Sequence, residues 1–283
     1  MKYMKNKCLV LFVLSFGMSI ASAKVETVIG SVNLKQNPNL AGFLPQTDLP
    51  EILISRKQYV ISYNKEKRIP NFAVWELVTS DVGSSGRATF AKDSELEQYL
   101  QSTDRAQHAV IPSEYTGSCL DRGHVVPSAD RSDNPEDNKE TFVMSNMLPQ
   151  TPHLNRVVWE HLEQYTRDMV KNQNKKVYIV AGPIFDQNVG AIGPNKDIQV
   201  PSREFKIVVI LDANQSIQEI NKETPMIAVI LPNVDSSGQL PKLNSSGCSA
   251  PTSGAQDKND WAKFKSSVPE IEHLSGLKIF APL

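Results

Sequence analysis

The chain has 283 residues, of which 40% are hydrophobic and 22% are charged. This composition excludes a globally disordered chain and suits one large domain or two small ones. The formal net charge of −1 lacks the basic surplus that is typical of nucleic-acid-binding proteins, although a local basic patch remains compatible with it.

The first residues have the pattern of a secretory signal peptide. A basic segment, Met1–Lys7, precedes an apolar run of 13 residues, Cys8–Ile20, and the small residues Ala21–Ala23. We predict cleavage after Ala23 and export to the periplasm or the medium. The alternative is an uncleaved membrane anchor, but the run is shorter than the roughly 20 residues that a bilayer span needs. We expect no membrane contact after cleavage, because no later segment is long and apolar enough to span a membrane.

Two cysteines, Cys119 and Cys248, would remain after cleavage. In an exported chain an even number favours a disulfide, and two free thiols are the alternative. Cys119 lies two residues before Asp121, so the bond would also brace the polar cluster that begins there. Cleavage would lower the basic count from 30 to 27 against 31 acidic residues, which gives a net charge near −4.

Residues 24–56 contain several prolines and are interpreted as a partly ordered lead-in to a domain at 57–283. Apolar, β-branched or alternating segments in this domain predict five strands: Lys57–Asn64, Phe72–Val78, Lys176–Phe185, Glu204–Leu211 and Pro225–Leu231. Glycine, serine and proline predict loops at Asp81–Arg87 and Ser236–Gly254. Helical spacing predicts helices within Asp93–Ser102, Pro152–Asn172 and Gly254–Gly276. Together these elements predict an α+β fold with a central, largely antiparallel sheet flanked by helices.

The longest predicted helix carries a stripe of functional side chains. At about 100° per residue, Asn155, Trp159, Glu163 and Arg167 lie along one side. Glu163 and Arg167 alone could be a solvated i,i+4 ion pair. An amide, a carboxylate and a guanidinium on one face are also suited to binding a metal ion and a phosphate.

The segment Asp121–His124 reads DRGH, which taken alone fits a metal site, a catalytic base or a polar turn. It is followed by Ser145–Gln150 (SNMLPQ), by Leu154–Trp159 (LNRVVW), and by Glu163 eight residues after the asparagine. In this order and spacing the chain resembles the DNA/RNA non-specific endonuclease family, whose active site is a ββα-metal (His-Me) finger. The resemblance extends over residues 57–283.

The resemblance implies a Mg²⁺-dependent, sugar-non-specific endonuclease that cuts DNA and RNA and leaves 5′-phosphate ends. It assigns His124 as the general base and Asn155 as the single protein ligand of the metal, for which Mn²⁺ is a substitute. The residue types permit both roles. An imidazole with an ordinary pKa near 6.5 is neutral at pH 7–8, and Mg²⁺ tolerates a shell made mostly of water.

Further site residues follow from the same resemblance. Glu163 matches a carboxylate that positions water around the metal. Three arginines, Arg87, Arg122 and Arg167, would supply positive charge to phosphate oxygens. The match of Arg87 is the least specific, because it lies in a predicted loop.

Two polar residues have supporting roles in this interpretation. Asp121 is expected to orient its neighbours, and Asn146 either to brace the loop or to contact the active site. Substrate contacts would go mainly to phosphates, which carry no sequence information. The sequence leaves open whether an inhibitor protein binds the enzyme.

Two other classes of function are alternatives to this one. The first is a catalytically inactive nucleic-acid-binding protein of the same fold, which the presence of the whole set of site residues disfavours. The second is a phosphodiesterase that acts on small nucleotides, which a deep pocket would favour over an open basic groove.

Overall fold

The structure is a computed structural model that describes residues 27–40, 44–221, 223–235, 237–240 and 258–280. The predicted signal peptide, Cys248 and most of the predicted loop at Ser236–Gly254 lie outside these ranges. The disulfide to Cys119 therefore stays a prediction. Among the described residues, no helix is long and apolar enough to cross a bilayer.

The described ranges contain eleven strands, of which seven form one sheet. The strands are β1 (Val28–Ile29), β2 (Ile52–Ser55), β3 (Val60–Asn64), β4 (Ile69–Leu77), β5 (Asp121–His124), β6 (Met147–Gln150), β7 (Lys175–Ile184), β8 (Ala191–Ile192), β9 (Ile198–Gln199), β10 (Arg203–Asp212) and β11 (Met226–Pro232). The sheet order is β1-β2-β3-β4-β7-β10-β11, and β5–β6 and β8–β9 form separate pairs. Every pair is antiparallel except β1–β2, so the predicted sheet type is confirmed.

All five predicted strands are present, with ends that differ by a few residues. The structure differs in the segment predicted as a lead-in, residues 24–56, because β1 and β2 belong to the sheet. Val28 pairs with Leu53, and Ile52 pairs with Tyr63 of β3. The end of this segment is thus part of the folded domain.

The central strands are apolar on both faces because both faces are covered. On β10, Phe205 and Ile207 face one cluster, which includes Ile271, whereas Val208 faces the other, which includes Trp159. The four α-helices of the described residues are α1 (Ser94–Thr103), α2 (Pro135–Glu140), α3 (Trp159–Asn172) and α4 (Val268–Ser275). Thus α4 covers one face and α3 the other, which is the face that carries the site.

The predicted helix Pro152–Asn172 is confirmed as a helical segment, but it is not α-helical throughout. Residues Leu154–Val158 form a π-helical turn, in which the backbone N–H of Trp159 bonds to the carbonyl of Leu154. π turns of this kind are frequent at functional sites. Here the turn changes the direction in which Asn155 points relative to the side chains of α3.

Candidate active site

A two-stranded hairpin and the helix that follows it bring the DRGH segment next to Asn155. β5 pairs with β6 so that Asp121 lies opposite Gln150 and His124 opposite Met147. The chain then enters the helical segment, and the Asn155 Nδ2 donates to Asp121 Oδ2 at 2.8 Å. This is the ββα arrangement that the sequence predicts.

Asp121 bonds to two side chains of the helical segment, Asn155 and Arg156. Its Oδ2 accepts from both Asn155 Nδ2 and Arg156 Nε, and its Oδ1 accepts from Arg156 Nη2 at 2.6 Å. The two bonds to Arg156 hold the carboxylate in a fixed plane. Because Asp121 binds the amide nitrogen of Asn155, the amide oxygen is directed away from Asp121.

The amide oxygen of Asn155 fits a hard cation such as Mg²⁺ or Mn²⁺. Within the described ranges, no group of three or more His, Cys, Asp or Glu side chains is placed to hold an ion. An ion bound at Asn155 would therefore have few protein ligands and many water ligands, as is usual for Mg²⁺. The donor type and the fixed orientation of the amide agree with this kind of site.

His124 lies in an aromatic setting that keeps its ring neutral. The ring contacts the edge of Phe142, with centroids 4.7 Å apart, and lies 5.5 Å from Phe90. Nε2 is buried and has no hydrogen-bond partner in the described part of the chain. Burial and the positive charge of Arg87 lower the pKa of His124 well below its ordinary value, so the ring is neutral at neutral pH.

Two of the predicted arginines lie against the two aromatic rings that are next to His124. The guanidinium carbon of Arg122 is 4.5 Å from the centroid of Phe90, and that of Arg87 is 5.7 Å from the centroid of Phe142. Alternation along β5 puts Arg122 on the same face of the strand as His124. Arg87 is exposed, on the predicted loop. Both are thus placed to supply positive charge near His124.

Glu163 is buried among positive charges. Its Oε1 is 3.5 Å from Lys206 Nζ and its Oε2 is 3.9 Å from Arg167 Nη1. Side-chain exposures of 12% for Glu163 and 7% for Arg167 contradict the alternative of a solvated pair. Burial raises the pKa of Glu163 to about 7, against the lowering effect of Lys206 and Arg167.

Arg167 points into the protein and not to the surface. Its Nη1 donates to Asp130 Oδ1 at 3.1 Å, and Asp130 Oδ2 accepts from the indole of Trp75. In this arrangement the charge of Arg167 lies next to the carboxyl groups of Asp130 and Glu163. The sequence could not distinguish this inner position from the expected phosphate contact, because both place Arg167 on the same side of α3.

Asn146 is fully buried and braces the loop after β5. Its Oδ1 accepts from the backbone N–H of Val126, and its Nδ2 donates to the carbonyls of Val126 and Thr141 at 2.9 Å each. The side chain is thus engaged by backbone groups. Of the two roles considered from the sequence, bracing is the one that these contacts support.

Two buried charged residues of β10 were missed by the sequence analysis. Lys206 is 1% exposed, and its Nζ is 4.0 Å from the ring centroid of Trp159. Glu204 is fully buried, accepts from Gln150 Nε2 at 2.5 Å, and has a pKa raised to about 8 by burial. The sequence feature that could have revealed them is the presence of two charged residues at alternate positions of an otherwise apolar strand.

The comparisons with known proteins agree with this geometry. The family model for DNA/RNA non-specific endonucleases matches residues 39–283, which begins before the predicted boundary at residue 57. A nuclease from Nostoc sp. is 40% identical over 243 residues, covering 84% of this chain and 77% of that protein.

Two further proteins are more distantly similar to this chain, one in sequence and one in structure. Human mitochondrial endonuclease G is 28% identical over 191 residues, covering 62% of this chain and 61% of its own length. A crystal structure of the EndoG/EndoGI complex superposes with a TM-score of 0.57 at 23% identity, covering 81% of this chain and 85% of that one. The structural match supports the fold.

The family match and the closely similar nuclease confirm the resemblance that the DRGH, SNMLPQ and LNRVVW segments carry. The family is one of metal-dependent nucleases. The chain therefore belongs to the DNA/RNA non-specific endonuclease family and is a non-specific endonuclease.

Proposed function

We propose that this endonuclease is exported, depends on Mg²⁺, and hydrolyses DNA and RNA to 5′-phosphate ends, with His124 as the general base and Asn155 as the protein ligand of the metal. The observation that carries the proposal is the hydrogen bond of 2.8 Å between Asn155 and Asp121. It joins the helix that carries the metal ligand to the strand that carries the base.

His124 supplies the base because its ring is neutral. A neutral imidazole has one nitrogen that can take the proton of an attacking water. The contacts with Phe90 and Phe142 restrict the ring to one orientation, which favours reaction by positioning. Burial and, to a smaller degree, Arg87 oppose protonation of the ring, which keeps it neutral before the reaction.

The metal, when bound at Asn155, would supply positive charge to the phosphate and to the leaving oxygen. Asp121 sets the direction of the amide, and Glu163 offers a carboxylate to orient water near the site. Glu163 can do this only when it is ionised, and Lys206 at 3.5 Å favours that state.

Arg87 and Arg122 are proposed to bind phosphate oxygens of the substrate. Phosphate contacts fix the position of a nucleic acid and carry no base information. Contacts of this kind, together with the metal, account for cleavage of both DNA and RNA without strong sequence preference.

Substitution of His124 tests the base assignment. We expect His124→Ala to lower the rate of plasmid and RNA cleavage by at least about 10²-fold, the lower end of general-base contributions. The matched control is His161→Ala, because His161 is on the same finger but bonds to Asp260 at 3.0 Å; its rate should stay within about twofold of wild type. Near-normal cleavage by His124→Ala would remove it as the base.

Metal dependence is tested by the same digestion with Mg²⁺, with Mn²⁺ and with EDTA. We expect no cleavage in EDTA and a sharply higher Mg²⁺ requirement in Asn155→Ala. An unchanged metal titration would remove Asn155 as the ligand.

Export and the disulfide are tested on the protein as the cell produces it. We expect an N-terminus at Lys24 and a bond between Cys119 and Cys248, so non-reducing mass analysis should find no free thiol. Labelling of either cysteine would reject the bond. Whether an inhibitor protein binds this enzyme, as EndoGI inhibits EndoG in their complex, is a separate question for binding assays.

A further inference from the structure

Gln150 and Glu204 form a buried link between the DRGH hairpin and the central sheet. Both are fully buried, and Gln150 Nε2 donates to Glu204 Oε2. The other two oxygens of this pair, Gln150 Oε1 and Glu204 Oε1, are also buried and have no hydrogen-bond partner in the residues that the structure describes. Two unpaired buried acceptors on one bonded pair are costly, because each has lost its bonds to water without gaining a partner.

One proton would satisfy both oxygens. A carboxylic acid and a primary amide each offer one donor and one acceptor on the same edge, so they can form two hydrogen bonds side by side. We propose that Glu204 is a neutral carboxylic acid that donates from Oε1 to Gln150 Oε1 while its Oε2 accepts from Gln150 Nε2, and that this pair positions the strand that carries His124. The proposal rests on the role of His124 as the general base.

The surroundings of Glu204 contain little positive charge that would stabilise a carboxylate. The positions opposite it on the neighbouring strands are Pro183 and Leu231, neither of which titrates. Lys206 lies on the same strand and acts on Glu204, but its ammonium is directed to Trp159 and Glu163.

Tyr115 is a further titratable group near Glu204, and burial raises its pKa well above the ordinary value. A neutral phenol does not compensate an ionised carboxylate. Burial accordingly raises the pKa of Glu204 to about 8, against smaller lowering effects of Gln150 and Lys206.

The pair is coupled to the catalytic strand through Gly123. A Cβ atom at Gly123 would overlap Gln150 Oε1, so the backbone of β5 rests directly on the amide. Loss of the proton would place a negative oxygen against Gln150 Oε1, and the amide and the strand above it would shift. A displacement of about 1 Å at a catalytic group can lower a rate by about 10²-fold.

Substitutions at Glu204 test this positioning role. Glu204→Gln keeps both hydrogen bonds without a titrating proton, so we expect a wild-type rate at neutral pH. The loss of kcat that wild type should show above about pH 8 should be absent from this variant. Glu204→Leu removes both bonds, so we expect kcat to fall about tenfold or more with KM nearly unchanged. The matched control is Glu51→Gln, because Glu51 is a buried carboxyl with a raised pKa that bonds to Ser62, away from the finger; its pH profile should equal that of wild type.

The infrared C=O stretch of a protonated carboxyl gives a readout that does not depend on activity. Glu163, whose pKa is raised to about 7, would contribute to this band, so the measurement is made in Glu163→Gln. We expect the band in this variant at pH 7, its absence when Glu204→Gln is added, and its loss by about pH 9. Absence of the band overturns the proposal. The proposal is also overturned if kcat falls at alkaline pH in Glu204→Gln as it does in wild type. If the band behaves as expected but His124→Ala remains active, only the assignment of His124 as the base is rejected.

Discussion

Replacing Lys206 with methionine isolates the buried charge pair behind the active site. Methionine is close to lysine in length and leaves the packing against Trp159 and Trp75 largely in place. It removes the ammonium that lies 3.5 Å from Glu163 Oε1 and 4.0 Å from the Trp159 ring. The substitution therefore changes charge far more than it changes volume.

The expected loss of stability depends on pH in a defined direction. Burial raises the pKa of Glu163 to about 7 from 4.5, so the folded chain binds this proton more readily than the unfolded chain. The contribution of Glu163 to the free energy of unfolding accordingly falls as pH rises from about 4.5 to 7. Loss of a nearby cation raises a carboxyl pKa by a further 1–3 units or so, at about 1.4 kcal/mol per unit.

We therefore expect Lys206→Met to be about 1–3 kcal/mol less stable than wild type near pH 8, where Glu163 is ionised in wild type. Near pH 5 the carboxyl is protonated in both proteins, and the difference should be below about 1 kcal/mol. Urea unfolding in EDTA at both pH values measures this. The control is Lys206→Met combined with Glu163→Gln, in which the pH dependence of the difference should disappear. Equal differences at the two pH values would refute the charge-pair explanation.

Three further substitutions probe the finger. Gly123→Ala should cost about 1–3 kcal/mol in urea unfolding by overpacking, because its Cβ would overlap Gln150; an unchanged midpoint would contradict this close contact. Asp121→Ala should raise the Mg²⁺ concentration for half-maximal cleavage about 10–100-fold, the usual effect of losing a group that orients a ligand, because it frees the Asn155 amide; a wild-type titration would show that Asp121 is not needed for this. Asn146→Ala should cost about 2–3 kcal/mol by leaving buried backbone groups unpaired, with an unchanged Mg²⁺ requirement; a shifted requirement would indicate a direct role at the metal.

Most of the sheet could be predicted from the sequence, because its central strands are long and apolar. The exceptions are β1 and β2, in the segment interpreted as a lead-in. Val28–Ile29 is too short to have a pattern, and its partner in the parallel pair lies more than 20 residues away. Pairing of this kind is decided by tertiary contacts, which local patterns do not record.

The active site was predictable where a residue lies in a segment with a fixed spacing. His124, Asp121 and Asn155 are of this kind, and the structure brings their segments together. The spacing did not show how deeply each side chain is buried. A uniform 100° rotation ignores the π turn at Leu154–Val158, and a helical wheel does not show that Arg167 is buried beside Asp130.

The positions of the positive charges explain how a chain with a net charge of −1 can cleave a polyanion. Two cations, Arg87 and Arg122, lie on the aromatic rings around His124, and two others, Lys206 and Arg167, are buried behind Glu163. Charges in a low-dielectric interior act more strongly on their neighbours than charges in water. The buried pair therefore favours the ionised form of Glu163, against the larger effect of burial, and contributes little to substrate attraction. Phosphate contacts by Arg87 and Arg122 would release counterions, so neutralising either arginine should lower both the affinity for nucleic acid and its dependence on salt.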